Sequence, residues 1–481
     1  MPEKPNIVFI LSDQHRGDTI GCVGHPVIIT PNLDALAREG VVFGNCCTNS
    51  PLCVPARASI ITGRHVSRHG AWDNSVGADR FGPSHVRNIR NAGYHTALIG
   101  KTHLMTDTAG LRDWGYEYTD EIHSTQATTR SRNSWVAHLA ERGLLDAYSE
   151  ATLEYARVNW SYTRMPWREP PAPIPTADHV DNFVGRKAAE WIERCSNDRP
   201  FYLQVLFPGP HPPFNSAPEY RALYRPENMP IGILESPQPP IPPYVDFVIR
   251  WSAPLKEMTP RQMQLLRTFY YAKITMIDER IGDIVAALRK RGILDNTWIV
   301  YSSDHGENLG DHRLNQKIVF YESALKVPCI IRPPRGTTGW QSNALVDHLD
   351  IVTTLLEVAK AVPLPDSGGR SLVSKIADGA NAAGANTGKE AIISEVIGYS
   401  MVYDGRYKLA ADAATGQQVE FLDTREDPRE LTNRVEEAST VGIREELASK
   451  HLRPLLERAN RGELDALVER RNRRDGSGMR G

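Results

Sequence analysis

Residues 7–14 read Ile7-Val8-Phe9-Ile10-Leu11-Ser12-Asp13-Gln14, an unbroken apolar run followed at once by polar side chains. Such a run is typical of a strand that is buried on both faces, as in a largely parallel sheet covered by helices. Residues 96–99, 201–207 and 298–301 repeat this form. The sequence therefore predicts an α/β fold with a large, mostly parallel sheet that is sandwiched by helices.

The residues that follow these four runs belong to the types that bind metals and anions. In parallel sheets, ligands bind outside the carboxyl ends of the strands. We therefore expect the four ends to converge on one site. Their sequences are Ser12-Asp13-Gln14, Gly100-Lys101-Thr102-His103, Pro208-Gly209-Pro210-His211 and Ser302-Ser303-Asp304-His305.

Helical segments alternate with the apolar runs. Thr30-Pro31 supplies an N-cap and a first-turn proline for a helix over residues 32–39, which Gly40 ends. Thr259-Pro260 does the same for a long segment that reaches Arg291. Apolar residues recur in this segment at helical spacing, which predicts a helix facing the core. Residues 350–361 form a further amphipathic candidate.

The composition of the chain changes near residue 375. Residues 363–384 are rich in Gly, Ala, Ser and Asp, which indicates a linker or a peripheral loop. Apolar runs over 391–396, 400–409 and 419–422 then precede a charged helix that starts near Ile443. We therefore predict a catalytic domain over residues 1–375 and a smaller C-terminal α+β domain over residues 376–481.

Two proline-rich stretches, residues 166–175 and 236–243, are predicted to be extended. They indicate either a lid or a subunit contact, and packing on the surface is an equal alternative. A homo-oligomer, such as a dimer or a tetramer, is consistent with the second of these interpretations.

Composition excludes several classes of protein. The 481 residues are 41% hydrophobic and 24% charged, which excludes a long disordered or fibrous protein. The net charge of −2 provides no basic field for nucleic acid or an anionic membrane. No apolar run approaches the roughly 18 residues of a membrane-spanning helix. Six cysteines in so long a chain do not indicate a disulfide framework, and the N-terminal residues do not resemble a signal peptide. We therefore expect a cytoplasmic protein.

The sharpest local signal is Cys53-Val54-Pro55-Ala56-Arg57. Pro55 suits the first turn of a helix, so Cys53 is predicted near the N-terminus of that helix. Unpaired amides and the helix dipole favour an anion and an electron-rich nucleophile there. Arg57, one turn along, can bind a tetrahedral oxyanion through two hydrogen bonds. For a lone cysteine, a buried structural role would be the better interpretation, but the flanking pattern argues against it.

The pattern Cys53-x-Pro55-x-Arg57 followed by Thr62-Gly63-Arg64 resembles the signature of the sulfatase family, in the alkaline phosphatase superfamily, whose cysteine is oxidised to formylglycine. The chain has Ala56 where that signature usually has serine. The resemblance implies an alkaline-phosphatase-like fold and an arylsulfatase-like hydrolase of sulfate esters, and it covers nearly the whole chain. Its further motifs are Asp13-Gln14, Gly100-Lys101-Thr102-His103-Leu104, Pro210-His211-Pro212-Pro213-Phe214, Asp304-His305-Gly306-Glu307, Gly310-Asp311-His312, Lys317, Gly405-Arg406-Tyr407-Lys408-Leu409 and residues 421–430.

A divalent cation suits this chemistry, because hydrolysis of a sulfate ester places more negative charge on oxygen. Asp13, Gln14, Asp304 and His305 supply two carboxylates, an amide oxygen and an imidazole, and Cys53 as formylglycine completes the predicted metal site. One imidazole makes the site slightly softer, so we expect Ca²⁺, with Mn²⁺ as the alternative. Many sulfatases have Asp and Asn at the positions of Gln14 and His305. The Gln/His pair also occurs in the phosphonate monoester hydrolase branch.

The resemblance also implies how the ester is held and attacked. Formylglycine at position 53 would be hydrated, and one of its hydroxyl groups would attack sulfur. The metal, Arg57, Lys101 and Lys317 would bind the sulfuryl oxygens and stabilise the charge that develops on them. A formylglycine-generating enzyme is the implied maturation partner.

The remaining roles concern proton transfer and the substrate. The resemblance implies that His211 protonates the departing group, and that His103 removes a proton from the remaining hydroxyl so that sulfate can leave. Asn74 resembles a substrate-binding position of the phosphonate hydrolase branch, with a loop-capping asparagine as the alternative. That branch usually has Tyr and Thr at the positions of Lys101 and His103.

We therefore expect hydrolysis of small-molecule sulfate monoesters. A phosphonate monoester or phosphodiester hydrolase that uses the same site is the alternative. A catalytically silent relative with an unmodified Cys53 is a third interpretation.

Overall fold

The computed structural model describes residues 4–77, 82–104, 107–122, 133–158, 170–380 and 387–476. An eight-stranded sheet has the order β4-β3-β5-β1-β6-β7-β2-β8, and a four-stranded sheet has the order β12-β11-β10-β9. The strands are β1 (Asn6–Asp13), β2 (Val41–Cys47), β3 (His95–Gly100), β4 (Tyr118–Glu121), β5 (Phe201–Pro210), β6 (Thr297–Ser303), β7 (Cys329–Arg332), β8 (Trp340–Asp347), β9 (Ile392–Val396), β10 (Tyr399–Tyr403), β11 (Tyr407–Asp412) and β12 (Gln418–Asp423).

Helices connect and cover these strands. They are α1 (Pro31–Arg38), α2 (Cys53–Thr62), α3 (Val66–His69), α4 (His85–Asn91), α5 (Thr108–Asp113), α6 (Ser134–Glu141), α7 (Leu145–Val158), α8 (Val180–Arg194), α9 (Pro218–Arg221), α10 (Pro243–Trp251), α11 (Pro260–Lys290), α12 (Glu322–Leu325), α13 (His348–Ala359), α14 (Val373–Asp378), α15 (Val441–Leu447), α16 (Arg453–Leu456) and α17 (Arg461–Gly476). No helix among the described residues has the length and apolar character that crossing a membrane requires.

The large sheet is mostly parallel, as predicted. The four apolar runs form β1, β3, β5 and β6, which lie side by side in the order β3-β5-β1-β6 and pair in parallel. Strand β7 is the exception, since it runs antiparallel to both of its neighbours, β6 and β2. The carboxyl ends of the four predicted strands therefore meet at one edge of the sheet.

The core consists of two apolar layers, one on each face of this sheet. Ile7, Phe9 and Leu11 of β1 belong to the layer that includes residues of α2 and α13. Val8 and Ile10 belong to the opposite layer, which includes residues of α8 and α11. Burial of each such side chain contributes about 1.5–3 kcal/mol relative to exposure. Consecutive residues of β1 are therefore all apolar because helices cover both faces of the sheet.

The long helix begins and ends as predicted. The Thr259 hydroxyl accepts a hydrogen bond from the backbone of Gln262, and the Gln262 side chain accepts one from the backbone of Thr259, which forms a capping box. The helix ends before Gly292, whose φ of +69° is the left-handed conformation that favours glycine.

The C-terminal region is an antiparallel sheet with helices, which confirms the predicted α+β character. The predicted run over residues 400–409 is two strands, β10 and β11, that form a hairpin. The Asp404 carboxylate accepts hydrogen bonds from the backbone amides of Arg406 and Tyr407, at 2.8 and 2.7 Å. Gly405 has a φ of +97°, a conformation that favours glycine because other residues adopt it only with strain.

The two sheets share an apolar cluster. Residues of β9 and β10 belong to the same cluster as Cys47 of β2 and Leu345 of β8. The predicted boundary between residues 375 and 376 falls within α14, and the second sheet begins at β9. Part of the first proline-rich stretch, residues 166–169, lies outside the described residues, as do residues 381–386 of the predicted linker. In the second stretch, Gln238 donates its backbone N–H to the carbonyl of Leu431, at 3.0 Å.

Candidate active site

Asp13 ends β1 and lies fully buried at the carboxyl edge of the sheet. Its Oδ2 is 2.6 Å from Lys101 Nζ and 3.2 Å from Arg57 Nη2. Burial alone would raise the pKa of Asp13, but the charges of Lys101, His211, Arg57 and Lys317 lower it well below its ordinary value. The side chain is therefore a carboxylate that is ready to bind a cation.

Asp304 and His305 follow β6, the neighbour of β1. Asp304 Oδ1 accepts hydrogen bonds from the backbone amides of Gln14 and His305, each at 2.9 Å. The imidazole of His305 contacts the carbonyl of Gly306 through Nδ1, at 2.8 Å. Burial alone would lower the pKa of His305, but the charges of Asp304 and Cys53 raise it above its ordinary value. Its Nε2 is 3.1 Å from Cys53 Sγ.

Cys53 is the first residue of α2, with Leu52 as the N-cap in an extended conformation. Its Sγ lies 3.8 Å from Asp13 Oδ1. Burial and the charge of Asp13 would raise the pKa of Cys53, but Lys317, His305 and a hydrogen bond with His103 lower it well below its ordinary value. The predicted place of Cys53 at a helix N-terminus is confirmed.

Arg57 lies one turn along α2 and binds the two aspartates. Its Nε is 2.8 Å from Asp304 Oδ2, Nη2 contacts Asp13, and Nη1 donates to the backbone carbonyl of Lys101. The guanidinium thus uses all three nitrogens on acceptors of the protein. Each of the two terminal nitrogens carries a second N–H, so binding of sulfuryl oxygens by Arg57 stays a prediction beside its contacts with the carboxylates.

Gln14 has a φ of +74° and places its side chain beside Lys317. The Lys317 ammonium donates to Gln14 Oε1, and Gln14 Nε2 donates to the carboxylate of Glu307. Glu307 is fully buried and also accepts the backbone amide of Leu309, at 2.9 Å. Glu307 therefore orients the Gln14 amide. The sequence analysis named Glu307 only as a member of the motif Asp304-His305-Gly306-Glu307 and gave it no role.

The basic side chains of β3 and β5 complete the site. Lys101 follows β3 and reaches Asp13, as described above, and His103 contacts the Cys53 thiol. His211 follows β5, and its backbone amide donates to the carbonyl of Asp13, at 3.0 Å. Burial and the charges of Lys317 and Lys101 lower the pKa of His211 well below its ordinary value, although the charge of Asp13 acts in the opposite direction. The structure therefore brings the four predicted strand ends together.

Asn74 lies beside the start of α2. Its Oδ1 accepts the backbone amide of Val54, at 3.0 Å. The capping role, which we gave as the alternative for this residue, is therefore present in the structure, and contact with a substrate stays a prediction.

The donor set fits a divalent cation. Asp13, Cys53, Asp304 and His305 each offer one ligand atom, and these four atoms lie within 4.8 Å of one another. Two buried carboxylates and an imidazole are a common ligand combination, and the Gln14 amide oxygen lies at the same edge of the sheet. Of the described residues, this is the one group of acidic, His and Cys side chains that forms such a cluster.

Two family models match the chain. The model of the sulfatase family matches residues 5–361, and that of the C-terminal region of N-sulphoglucosamine sulphohydrolase matches residues 310–457. The multifunctional alkaline phosphatase superfamily protein PehA of Trinickia caryophylli is 30% identical over 405 residues, which is 78% of this chain and 78% of PehA. An arylsulfatase of Clostridium perfringens is 29% identical over 464 residues, covering 89% of this chain and 90% of its own.

A solved structure supports the same fold. The phosphonate monoester hydrolase of Agrobacterium radiobacter superposes with a TM-score of 0.77 at 24% identity, over 93% of this chain and 94% of that chain. The sulfatase family model covers most of this chain and includes all the residues of the metal cluster. The chain therefore belongs to the sulfatase family, whose members hydrolyse sulfuric esters.

Proposed function

We propose that this chain is an arylsulfatase-like hydrolase of sulfate monoesters whose nucleophile is formylglycine derived from Cys53. The observation that carries the proposal is the position of the Cys53 side chain, 3.1 Å from His305 Nε2 and 3.8 Å from Asp13 Oδ1. A hydrated aldehyde at this position supplies a hydroxyl for attack on sulfur. A divalent cation at Asp13, Gln14, Asp304 and His305 would supply positive charge for that hydroxyl and for the ester.

Lys101 and Lys317 are assigned to the sulfuryl oxygens. Both residues are only 5% exposed. The Lys101 ammonium contacts Asp13, and the Lys317 ammonium donates to the Gln14 amide oxygen. Buried ammonium groups at fixed positions stabilise developing negative charge without reorganisation of solvent. Arg57 is assigned to the same oxygens, and its guanidinium also holds Asp13 and Asp304 at a fixed separation.

His211 and His103 are assigned to proton transfer. His211 Nδ1 is 2.6 Å from the carbonyl of Pro212, so the ring is oriented and Nε2 is the nitrogen left for the leaving group. The ring donates from Nε2 when it is protonated, and the negative charge of a bound ester favours that state against the burial that lowers the pKa of His211. His103 contacts the side chain of residue 53, which suits removal of a proton from the second hydroxyl group of that residue.

The His211→Ala variant should discriminate between leaving groups. We expect kcat/KM to fall about 100-fold for phenyl and alkyl sulfates, because their alkoxide or phenoxide needs a proton. For para-nitrophenyl sulfate, whose leaving group is stable as an anion, we expect a loss below about 5-fold. Steady-state kinetics on a series of leaving groups measures this difference. His138→Ala serves as the control, since that ring pairs with Asp178 at 2.7 Å on another part of the chain. Equal losses on both kinds of ester would contradict the assignment.

A phosphonate monoester or phosphodiester hydrolase is the second candidate. The observation in its favour is that Gln14 and His305, the pair that resembles that branch, both lie at the metal cluster. Lys101 and His103 argue against it, because that branch usually has Tyr and Thr at these positions.

Matched substrates distinguish the two candidates. We expect kcat/KM for para-nitrophenyl sulfate to exceed that for para-nitrophenyl phenylphosphonate by at least about 10-fold, since specificity is the ratio of these constants. Cys53→Ala should remove both activities, which would assign them to one site. A preference of the same size for the phosphonate would overturn the proposed substrate class.

The remaining assignments are part of the same proposal. We assign Ca²⁺ to the metal cluster, with Mn²⁺ as the alternative, because most of its ligands are oxygens. A formylglycine-generating enzyme is the proposed maturation partner. The cytoplasm is the proposed location, since six cysteines in so long a chain do not indicate a disulfide framework. We place the domain boundary between α14 and β9 rather than within α14, and a homo-oligomer remains part of the proposal.

A further inference from the structure

A buried ion pair outside the catalytic strand ends lies next to His211. Lys273 belongs to the long helix α11, and Asp181 belongs to the first turn of α8. The distance from Lys273 Nζ to Asp181 Oδ2 is 3.6 Å, and both side chains are completely buried. Neither residue belongs to a motif that the sequence analysis identified.

The ion pair binds the backbone on both sides of His211. Lys273 Nζ donates to the carbonyl of His211 itself, at 3.1 Å, and to the carbonyl of Pro213, at 3.2 Å. Asp181 Oδ1 accepts the backbone amide of Gly209, at 2.7 Å. A Cβ atom on Gly209 would lie 2.6 Å from Asp181 Oδ2, so glycine is required for this approach. The pair therefore fixes three backbone groups within the five residues 209–213.

Stability alone does not account for an ion pair at this depth. Removing two charges from water is costly, and an apolar pair of similar volume is often as stable or more stable. His179 also lies beside the ion pair, with its Nδ1 3.5 Å from Asp181 Oδ2. Burial lowers the pKa of His179 to about 4, so its ring is neutral at physiological pH and Lys273 is the cation that balances Asp181.

The geometry points to a function for this pair. We propose that Lys273 and Asp181 are positioning residues for proton transfer to the leaving group. They hold the backbone of residues 209–213, and the His211 ring takes its orientation from that backbone through the contact of Nδ1 with the Pro212 carbonyl. This inference rests on the proposed role of His211 as the proton donor.

The test is the leaving-group dependence of Lys273→Met. A displacement of about 1 Å at a catalytic group can cost about 100-fold in rate. We therefore expect kcat/KM for phenyl and alkyl sulfates to fall about 30- to 100-fold, and that for para-nitrophenyl sulfate to fall less than about 5-fold. Lys273→Arg, which keeps the positive charge, should recover part of the loss on the poor leaving groups.

A double variant separates positioning from an independent effect. If Lys273 acts through His211, adding Lys273→Met to His211→Ala should lower kcat/KM by less than about 3-fold beyond His211→Ala alone, because the two changes remove the same interaction. Losses that multiply in full in the double variant would overturn the inference.

Lys389→Met is the matched control. Lys389 also carries a buried ammonium, 2.6 Å from Asp347 and 3.0 Å from Asp350, but its ion pairs belong to the end of β8 and the start of α13. We expect this variant to lower the melting temperature without any dependence of its rate on the leaving group. If Lys273→Met instead lowers the rates of good and poor leaving groups equally, the pair is structural and the inference is wrong.

Asp181→Asn covers the case in which Lys273→Met does not fold. Its amide oxygen keeps an acceptor for Gly209 but removes the charge that pairs with Lys273. We expect the same selective loss on poor leaving groups.

The two proposals fail in different ways. If His211→Ala shows no leaving-group dependence, the proton-donor assignment fails and the inference fails with it. If His211→Ala shows the dependence and neither Lys273→Met nor Asp181→Asn does, the inference alone fails.

Discussion

Replacing Cys53 with alanine is expected to abolish turnover while the protein stays folded. Residue 53 is the proposed nucleophile, and loss of a nucleophile typically costs about 10⁴-fold or more in kcat. The substitution removes only the reactive group of residue 53, in a site where Asp13 and Asp304 keep their contacts with Arg57. Initial rates with para-nitrophenyl sulfate measure the loss, and circular dichroism measures the fold.

Cys22→Ala is the matched control for this prediction. Cys22 is also a cysteine outside any disulfide, but it is only half-buried, lies in a short turn of helix, Gly21–Val23, and is not among the four candidate metal ligands. We expect this variant to retain full activity. Peptide mass analysis of the unsubstituted protein should show that the thiol of residue 53 has become an aldehyde. Full activity of a protein whose Cys53 is an ordinary thiol would disprove the mechanism.

Substituting Asp13 with asparagine is expected to remove the metal and, with it, the activity. The variant keeps the shape of the side chain but loses a charge that pairs with Lys101 and Arg57. We expect kcat/KM to fall at least about 10³-fold, because the cation offsets the charge that develops on the ester. Elemental analysis after dialysis against Ca²⁺ should find metal in the unsubstituted protein and little in the variant.

Thermal unfolding provides a second measurement that does not depend on activity. A ligand that binds only the folded state raises the melting temperature. Added Ca²⁺ should therefore stabilise the unsubstituted protein and leave Asp13→Asn unchanged. Asp18→Asn is the control, since Asp18 is exposed and pairs with Arg16 at 2.7 Å. That variant should bind Ca²⁺ normally, and stabilisation of Asp13→Asn by Ca²⁺ would show that Asp13 is not a ligand.

Much of the fold could be predicted because burial on both faces leaves a clear trace in the sequence. The apolar runs that became β1, β3, β5 and β6 are long enough to stand out. The direction of β7 could not be predicted, since its residues Cys329–Arg332 are buried like those of a parallel strand. The hairpin between β10 and β11 was missed, although Asp404-Gly405 is a recognised turn signal.

The site was predictable to the extent that it depends on topology. Parallel strands place their carboxyl ends together, so Asp13, Lys101, His211 and Asp304 had to meet once the strands were identified. The partner of Arg57 was not predictable, because spacing along α2 shows which way a side chain points and not which acceptor it reaches. For Glu307, the motif that contains it was the one indication in the sequence, and the motif does not show that its carboxylate contacts Gln14.

Lys273 and Asp181 gave no signal at all in the sequence. They lie 62 and 28 residues from the backbone groups that they bind, at His211 and Gly209. Each belongs to a helix that carries several other charged residues, so its charge does not stand out in the sequence. Contacts of this kind come from the packing of α8 and α11 against the sheet, which a linear pattern does not encode.

The burial of α2 has a consequence for the order of events during biosynthesis. All ten residues of this helix are buried, and Cys53 is 1% exposed. An oxidising enzyme must bring the thiol into its own catalytic centre, which the finished fold prevents. Under the proposed chemistry, aldehyde formation therefore has to precede closure of the polypeptide around this helix, while the chain is newly made. Protein that folds first would keep an inactive thiol at residue 53. The yield of active enzyme therefore depends on the rate of Cys53 oxidation relative to the rate of folding.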